Sequence, residues 1–246
     1  MLDFRFGDTW ASSYGIEVLN IQHDILPANR DHYETIPGRH GSYLFTQPFG
    51  DRMITIECSL RGSDFADMRD KIFDIAAWLA STGKKQLQLG DTPGKYYMAK
   101  LTNAGALARE IIAGFFTLEF TCDPFAYSLY ESTATYTMAS GSTESIFCTG
   151  TWETEPIIEI TADNGEIRNP HLEIGDIGFT LNFVVPNGST LTVDCSMLTV
   201  HIGTNNVIIY FDGDFPVIKP GYNLIKYSSD NGATVTITIK YRERWL

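Results

Sequence analysis

The residues that could do acid–base chemistry in this chain are few. Glu153 and Glu155 flank Thr154, so on a strand their carboxylates would face the same way, roughly 7 Å apart. Carboxyl pairs near this separation flank the scissile bond in inverting glycoside hydrolases. However, Pro156 follows at once, and two acids on one side of an exposed strand usually form a solvated face. We therefore expect no catalytic residue here.

The spacings that hold metals, cofactors or nucleophiles are missing from the sequence. The five histidines are scattered, with no His-x-x-x-His or Cys–His spacing that could hold zinc. Asp212-Gly213-Asp214 resembles the start of a calcium loop, but no Glu stands at the closing position, so a hairpin turn is favoured. Phosphate loops, dinucleotide fingerprints and Gly-x-Ser-x-Gly elbows do not occur. We predict no enzyme activity, no metal and no cofactor.

The cysteines indicate reduced thiols. They lie far apart, without a Cys-x-x-Cys pair: Cys58, Cys122, Cys148 and Cys195. This pattern fits neither a zinc site nor a disulfide framework. Residues 1–5 lack the features of a secretory signal, and no apolar run approaches the roughly 20 residues that cross a bilayer. We expect a soluble protein made in a cytoplasm, with no membrane partner.

Composition and charge narrow the class of protein and of partner. Of 246 residues, 43% are hydrophobic and 13% aromatic, which is typical of a globular chain. The net charge is −12, and residues 131–246 hold 14 acidic against 6 basic side chains. An acidic surface repels phosphate backbones, so specific DNA or RNA binding is not expected. The acidity has two interpretations. Either the acidic side chains serve only to keep the protein soluble, or they line a channel through which DNA passes without binding.

A change of pattern near residue 130 predicts two domains, residues 1–130 and 131–246. The first contains strands and a single helix, whereas the second contains short strands and tight turns with no helical pattern. The change follows a long alternating strand, predicted over residues 111–122, that stops at Asp123-Pro124-Phe125. We assign these three residues as the domain junction. Each half is long enough to fold alone.

The first domain combines alternating strands with one amphipathic helix. The clearest alternation puts four residues on one strand face: Ile54, Ile56, Cys58 and Leu60. Helical spacing follows over residues 64–81, with a predicted core stripe: Phe65, Met68, Ile72, Ile75, Ala76 and Leu79. Strands on either side of one helix predict a β-sandwich with the helix packed on one side.

A segment between the early strands, residues 24–43, breaks the alternation. It contains two prolines and two glycines. In a sheet protein such a segment is a long loop or a projecting hairpin, and long loops in compact domains are often functional. Its candidate contact residues are Arg30, Pro37, Gly38, Arg39 and Gly41. An ordinary surface loop is the alternative.

The second domain is predicted to be an antiparallel sandwich or jelly roll. Its turn dipeptides supply the positive φ angles of hairpins: Asn164-Gly165, Asn187-Gly188, Asn205-Asn206, Asp212-Gly213 and Asn231-Gly232. Two sets of residues alternate as strands do: Leu191, Val193, Cys195 and Met197, and then Val235, Ile237 and Ile239.

The order of these features over the whole chain resembles the distal tail proteins of long, flexible-tailed phages of the siphovirus type. The segments that carry the resemblance are residues 18–25, Pro37-Gly38-Arg39-His40-Gly41, Arg52–Arg61, the helix, residues 117–128, residues 150–158, Pro220-Gly221-Tyr222-Asn223 and residues 239–246. The resemblance implies a galectin-like second domain, similar to carbohydrate-binding modules. It also implies that residues 24–43 form an arm that reaches the next subunit.

For function, the resemblance implies a virion structural protein of a phage or prophage, assembled in the bacterial cytoplasm. It would form a ring at the tail tip, most simply of six subunits. Its neighbours would be the tail tube protein, the tape-measure protein, the tail-tip or tail-associated lysin protein and a receptor-binding protein, and DNA would pass through the lumen without specific contacts.

The alternative function is a carbohydrate-binding module that recognises a host-surface saccharide. Four aromatic residues of the second domain could stack on a pyranose ring: Trp152, Tyr210, Tyr222 and Tyr227. Aromatic side chains in a small sandwich are mostly core, however. No arrangement of Trp with Arg, Asn and His resembling a galectin site can be picked out.

Overall fold

The structure, a computed structural model, describes residues 2–45, 48–105, 108–109 and 113–246. By packing, the chain divides into two compact units, residues up to Tyr127 together with Leu246, and Ser128–Trp245. Among the described residues, no helix is long and apolar enough to cross a membrane. The prediction of a mainly β chain with one packed helix in its first part is confirmed.

Up to Ser128 the elements are β1 (Phe4–Phe6), β2 (Thr9–Trp10), a 3-10 helix (Ala11–Tyr14), β3 (Ile16–His23), β4 (Tyr33–Glu34), β5 (Tyr43–Leu44), β6 (Arg52–Arg61), α1 (Phe65–Leu79), β7 (Lys85–Leu89), β8 (Lys95–Ala104), β9 (Ala108–Arg109) and β10 (Ala113–Ser128). From Ser132 onward they are β11 (Ser132–Met138), β12 (Thr143–Cys148), β13 (Ile157–Thr161), β14 (Ile167–Arg168), β15 (His171–Ile174), β16 (Ile177–Leu181), β17 (Val184–Val185), β18 (Thr190–Asp194), β19 (Thr199–Ile202), β20 (Asn205–Asn206), a 3-10 helix (Ile208–Tyr210), β21 (Phe211–Gly213), β22 (Gly221–Ser228), β23 (Val235–Tyr241) and β24 (Arg244–Trp245).

The first unit is built on one main sheet with the strand order β2-β1-β7-β8-β10-β6-β3. In a flat sheet with strands about 4.8 Å apart, β2 and β3 would lie roughly 29 Å from each other. Only residues 11–15 connect these two strands, and four of them form a 3-10 helix, which rises about 2 Å per residue. The sheet must therefore curl until its two edge strands approach each other.

The predicted strand face on β6 is confirmed, because Ile54, Ile56, Cys58 and Leu60 are all buried. On β10, the facing residues Leu118 and Phe120 are buried as well, and the register pairs Leu118 with Ile56. Cross-strand pairs of this kind are what stabilise one face of an antiparallel sheet. Helix α1 covers this face, because the ring of Trp78 stacks on that of Phe4 with centres 5.7 Å apart, and Phe4 in turn lies against Phe120.

Helix α1 begins one residue after its cap. The carboxylate of Asp64 accepts hydrogen bonds from the backbone N–H groups of Ala66 at 2.8 Å and Asp67 at 3.0 Å, which satisfies two of the donors that a helix start leaves free. The indole N–H of Trp78 donates to the carbonyl of Phe6 at 3.0 Å. This last hydrogen bond joins the helix to β1.

Two parts of the helix prediction are wrong. The helix ends at Leu79, not residue 81, because Ala80 adopts an extended backbone with ψ 117°. Met68, Ile75 and Leu79 are buried as predicted, but Phe65 is 54% exposed. Phe65 is the first residue of the helix, and the buried residues that face the sheet begin at Met68. Ala76 is also exposed.

The long strand does not stop at Cys122. Strand β10 continues through Asp123, Pro124 and Phe125 to Ser128, so the predicted strand end is wrong, while the predicted start at residue 111 lies outside the described residues. Pairing with β6 ends where Cys122 faces Arg52. Pro124 lies beyond that ladder, where the N–H that proline lacks is not needed for pairing with β6.

The second unit contains two antiparallel sheets with a shared core. One has the order β11-β23-β13-β18-β19-β20 and the other β12-β22-β15-β16-β21. Val235, Ile237 and Ile239 are buried in that core, as their alternation predicts, and Ile158 on β13 pairs with Ile239. The arrangement is the β-sandwich predicted for this half.

Three details of the second unit differ from the sequence prediction. Asn205-Asn206 is strand β20 and not a turn, because the hairpin turns one step earlier, at Gly203 with φ +59°. Asp212-Gly213 lies on β21, where Gly213 packs so closely on β16 that a Cβ would lie 2.5 Å from a backbone oxygen. Met197 is 70% exposed because the strand ends at Asp194.

The four cysteines are free and buried, in agreement with the predicted isolated thiols. Burial raises the pKa of Cys58, Cys122 and Cys195 to about 12 and raises that of Cys148 as well. Thiols with raised pKa values are poor nucleophiles at neutral pH. These cysteines therefore act as small core residues.

We expect residues 128–245 to fold alone, because the two facing sheets of this unit and the core that they share are formed by residues within this range. A start at Ser128 keeps the hydrogen bonds that Arg242 donates to the carbonyls of Ser128 at 2.7 Å and Leu129 at 2.8 Å. Circular dichroism should show a β spectrum with cooperative melting, and light scattering should show a monomer. A disordered spectrum would contradict the independence of this unit.

Candidate functional site

The segment after β3 forms a projecting hairpin, not an irregular loop. Strands β4 and β5 pair antiparallel, with Tyr33 opposite Leu44. At its base, the N–H of Arg30 donates to the carbonyl of Pro48 at 2.9 Å, and the N–H of Gly50 donates to the carbonyl of Ala28. We call residues 28–45 and 48–50 the hairpin.

The predicted contact residues lie at the tip and base of the hairpin. Gly38 and Gly41 have φ angles of +84° and +82°, which few other residues adopt without strain. The guanidinium of Arg39 lies 3.7 Å from the centre of the Tyr43 ring. Pro37 and Arg39 are at the tip, whereas Arg30 is at the base.

The hairpin exposes many apolar side chains. Every residue from Ala28 to Phe45 is exposed. The large hydrophobic residues in and just before the hairpin have high exposed fractions: Ile25 89%, Leu26 60%, Tyr33 57%, Ile36 48%, Tyr43 43%, Leu44 41% and Phe45 57%. A soluble chain rarely leaves a contiguous apolar patch in water unless the patch is an interaction surface. The hairpin is therefore the strongest candidate for a contact with another chain.

A buried arginine anchors the base of the hairpin. Arg52, at the start of β6, is only 2% exposed. Its guanidinium donates to the backbone carbonyl of Asp24, where the chain leaves β3, and through Nε to the carbonyl of Pro124 at 3.3 Å. Burying a charge is costly unless its donors are satisfied. Arg52 thus links the start of the segment that leads into the hairpin, at Asp24, to β10.

Ion pairs also connect the base of the hairpin to the residues around it. Lys84, after α1, forms an ion pair with Asp123 and lies 3.8 Å from the carboxylate of Asp51. Asp51 is also 3.7 Å from the guanidinium of Arg30. The hydrogen bond to Asp123 raises the pKa of Lys84. These pairs are partly exposed, so each contributes little stability by itself, but together they set the position of the base.

The structure therefore brings the base of the predicted arm close to the predicted domain junction, although the two are far apart in sequence. Phe49 at the hairpin base and Phe125 on β10 have ring centres 6.0 Å apart in an edge-to-face arrangement. Arg30 and Asp123 belong to one charge network. Sequence reasoning missed Arg52, although one signal was present: position 52 shares the inward periodicity of Ile54 and Ile56.

The carboxylates of Glu153 and Glu155 have different surroundings. Glu155 is ion-paired with Arg244. Glu153 is exposed, and the hydroxyl of the buried Thr154 between them donates to the carbonyl of Arg242 at 2.8 Å. In the part of the chain that the structure describes, no three His, Cys, Asp or Glu side chains are grouped to hold a metal.

The aromatic candidates also differ in exposure. Tyr227 is 1% exposed and part of the core, whereas Tyr222 is 81% exposed. Tyr210 is 39% exposed and stacks on Phe183, with ring centres 4.6 Å apart. Trp152 is half-buried. Tyr222 is thus the most exposed aromatic residue of this set.

Comparisons with known families cover most of the chain. Residues 11–122 match the phage tail protein RIFT-related domain, and residues 149–245 match the C-terminal domain of the siphovirus-type tail component. No curated protein sequence matches the chain.

Solved structures are similar over the full length. The crystal structure of the SPP1 Dit (gp 19.1) protein, described as a paradigm of the hub adsorption apparatus in phages that infect Gram-positive bacteria, is 16% identical. It covers 100% of both chains with a TM-score of 0.78, which shows a common fold. A chain of the phage p2 baseplate in its activated conformation with Sr is 10% identical, with 98% of both chains covered and a TM-score of 0.43.

Replacing Arg52 by Ala should destabilise the protein by about 2–5 kcal/mol, because the carbonyls of Asp24 and Pro124 lose the donor that satisfies them. Arg52→Lys should recover only part of this loss. Lysine still supplies a charged donor, but its ammonium group lacks the planar fork with which a guanidinium reaches two acceptors. Urea unfolding followed by fluorescence measures both changes.

The matched control is Arg69→Ala on α1, where the side chain is exposed. This change should shift the free energy of unfolding by no more than about 0.5 kcal/mol. Equal stability of the Arg52→Ala variant and the Arg69→Ala variant would contradict the anchoring role.

Proposed function

The chain belongs to the family of siphovirus-type distal tail components, and we propose that six copies of it form a ring joining the tail tube to the tail-tip apparatus. The family is a structural component of the tail, of the hub or baseplate type, and not an enzyme. The proposed neighbours are the tail tube protein, the tape-measure protein, the tail-tip or lysin protein and a receptor-binding protein. The assembly would form in the bacterial cytoplasm and remain in the virion.

The observation that carries the proposal is the exposed apolar hairpin. Within one chain its apolar side chains from Tyr33 to Phe45 stay in water, while Arg52 and the charge network fix its base. A head-to-tail contact that uses such a projecting element must either close into a ring or grow into a fibre. In a closed ring every hairpin is buried against a neighbouring copy, and no hairpin is left exposed to water. We assign this contact to the first unit, with Arg30, Pro37, Gly38, Arg39 and Gly41 in the arm.

An acidic sheet face supports a channel role. Glu17 on β3, Glu57 on β6 and Glu119 on β10 alternate with buried residues, so they point away from the core, on neighbouring strands. Their carboxylates accept hydrogen bonds from neutral side chains: Ser59 at 3.3 Å, Gln22 at 3.3 Å and Asn103 at 3.2 Å. Facing the lumen, this surface would repel the phosphates of passing DNA.

Wild-type protein should have six times the mass of one chain by light scattering at high concentration. The triple variant Tyr33→Ser, Leu44→Ser, Phe45→Ser removes apolar area from the hairpin while leaving the core intact, so it should shift the mass toward the monomer. Its unfolding midpoint, measured under monomeric conditions, should change little because these residues are exposed.

The matched control is Met197→Ser with Leu198→Ser, which removes exposed apolar side chains (70% and 56%) from a turn of the second unit. This double variant should keep the wild-type mass. A wild-type monomer in several buffers, or a triple variant that assembles as well as the control, would count against the proposal.

A further inference from the structure

The solvent face of the β12-β22-β15-β16-β21 sheet carries a polar pocket of about 300 Å³. It is lined by the side chains of His171, Glu173 and Lys226 together with the chain near Ser142 and Ser228. The strand register explains the grouping, because Glu173 on β15 faces Lys226 on β22, and Lys226 in turn faces Thr143 on β12. Residues from three neighbouring strands therefore meet at one place.

The side chains of this polar pocket hold one another in position. The ammonium group of Lys226 donates to Glu173 Oε2 at 2.8 Å, and the Nε2 atom of His171 lies 3.4 Å from Glu173 Oε1. The other ring nitrogen, Nδ1, lies 2.9 Å from the hydroxyl of Thr180. The hydrogen bond from Lys226 lowers the pKa of Glu173, which keeps it ionised. The pocket offers a fixed carboxylate acceptor next to an ammonium donor.

An aromatic pair extends the same face. Tyr222 on β22 lies opposite Phe147 on β12, with ring centres 4.7 Å apart. Tyr222 is 81% exposed, Phe147 50% and Leu224 53%. Tyr222, Leu224 and Lys226 alternate with the buried Asn223, Ile225 and Tyr227, so they share the solvent face. Four residues of extended strand place Tyr222 roughly 13 Å from Lys226.

This combination fits the chemistry of a sugar chain. A pyranose has apolar C–H faces that stack on exposed aromatic rings and a rim of hydroxyl groups that pair with carboxylate and ammonium groups. The length of the surface suits an oligosaccharide better than a single ring. Residues 131–246 hold 14 acidic and 6 basic side chains, which disfavours anionic polymers. We propose that this face binds a neutral oligosaccharide, with one residue in the polar pocket and another on Tyr222.

The test uses the full-length protein on an array of defined neutral oligosaccharides built from glucose, galactose, rhamnose and N-acetylhexosamines. Poly(glycerol phosphate) serves as the anionic comparison. We expect retention of at least one neutral oligosaccharide, whose affinity calorimetry then measures. Tyr222→Ala and Glu173→Gln should each weaken binding about tenfold or more, because each removes a stacking or charged hydrogen-bonding partner.

The matched control is Tyr130→Ala, which removes a tyrosine that is 74% exposed elsewhere in the second unit and should leave the affinity unchanged. Melting temperature and assembled mass should be the same for all variants, so a failure of sugar binding is distinguishable from a failure of the ring. Absence of binding across the neutral array, retention of the anionic polymer alone, or equal affinity of the Tyr222→Ala variant and wild type would overturn the proposal.

Discussion

The buried guanidinium of Arg52 is the constraint on which the arrangement of the first unit depends. It is 2% exposed, and a charge in that position must find acceptors for its N–H groups. It finds them in the backbone carbonyls of Asp24 and Pro124, which lie about a hundred residues apart in sequence. One side chain thereby fixes both the point where the hairpin leaves the sheet and the course of β10 beyond its ladder with β6.

The base of the hairpin is held by contacts with the rest of the first unit, whereas the large apolar side chains along its length are exposed. The base is held by Arg52, by the network of Lys84, Asp123 and Asp51, and by the contact of Phe49 with Phe125. The tip is held by its own turn and by Arg39 over Tyr43. An element that is rigid at its base and apolar along its length is suited to bind a neighbouring chain, since its orientation is fixed before binding.

Periodicity made much of the fold predictable. Alternation identified the buried faces of β6 and β23, and helical spacing with an aspartate cap identified α1. Prediction failed where tertiary contacts override local signals. Asp212-Gly213 has turn chemistry, yet it lies on a strand because Gly213 allows β21 to pack closely on β16. Phe65 has the right spacing but lies in the first turn, ahead of the sheet contact. Arg52 was missed because its partners are backbone carbonyls, which have no signature in the sequence.

The central claim, that the hairpin is buried against a neighbouring copy, can be measured directly by hydrogen–deuterium exchange of assembled and diluted protein. Peptides that cover residues 24–45 should exchange slowly in the assembled state and rapidly after dilution to monomer, while peptides from the core strands β6 and β23 should exchange at the same rate in both. Equal, rapid exchange of residues 24–45 in a sample whose mass shows a complete ring would contradict the account.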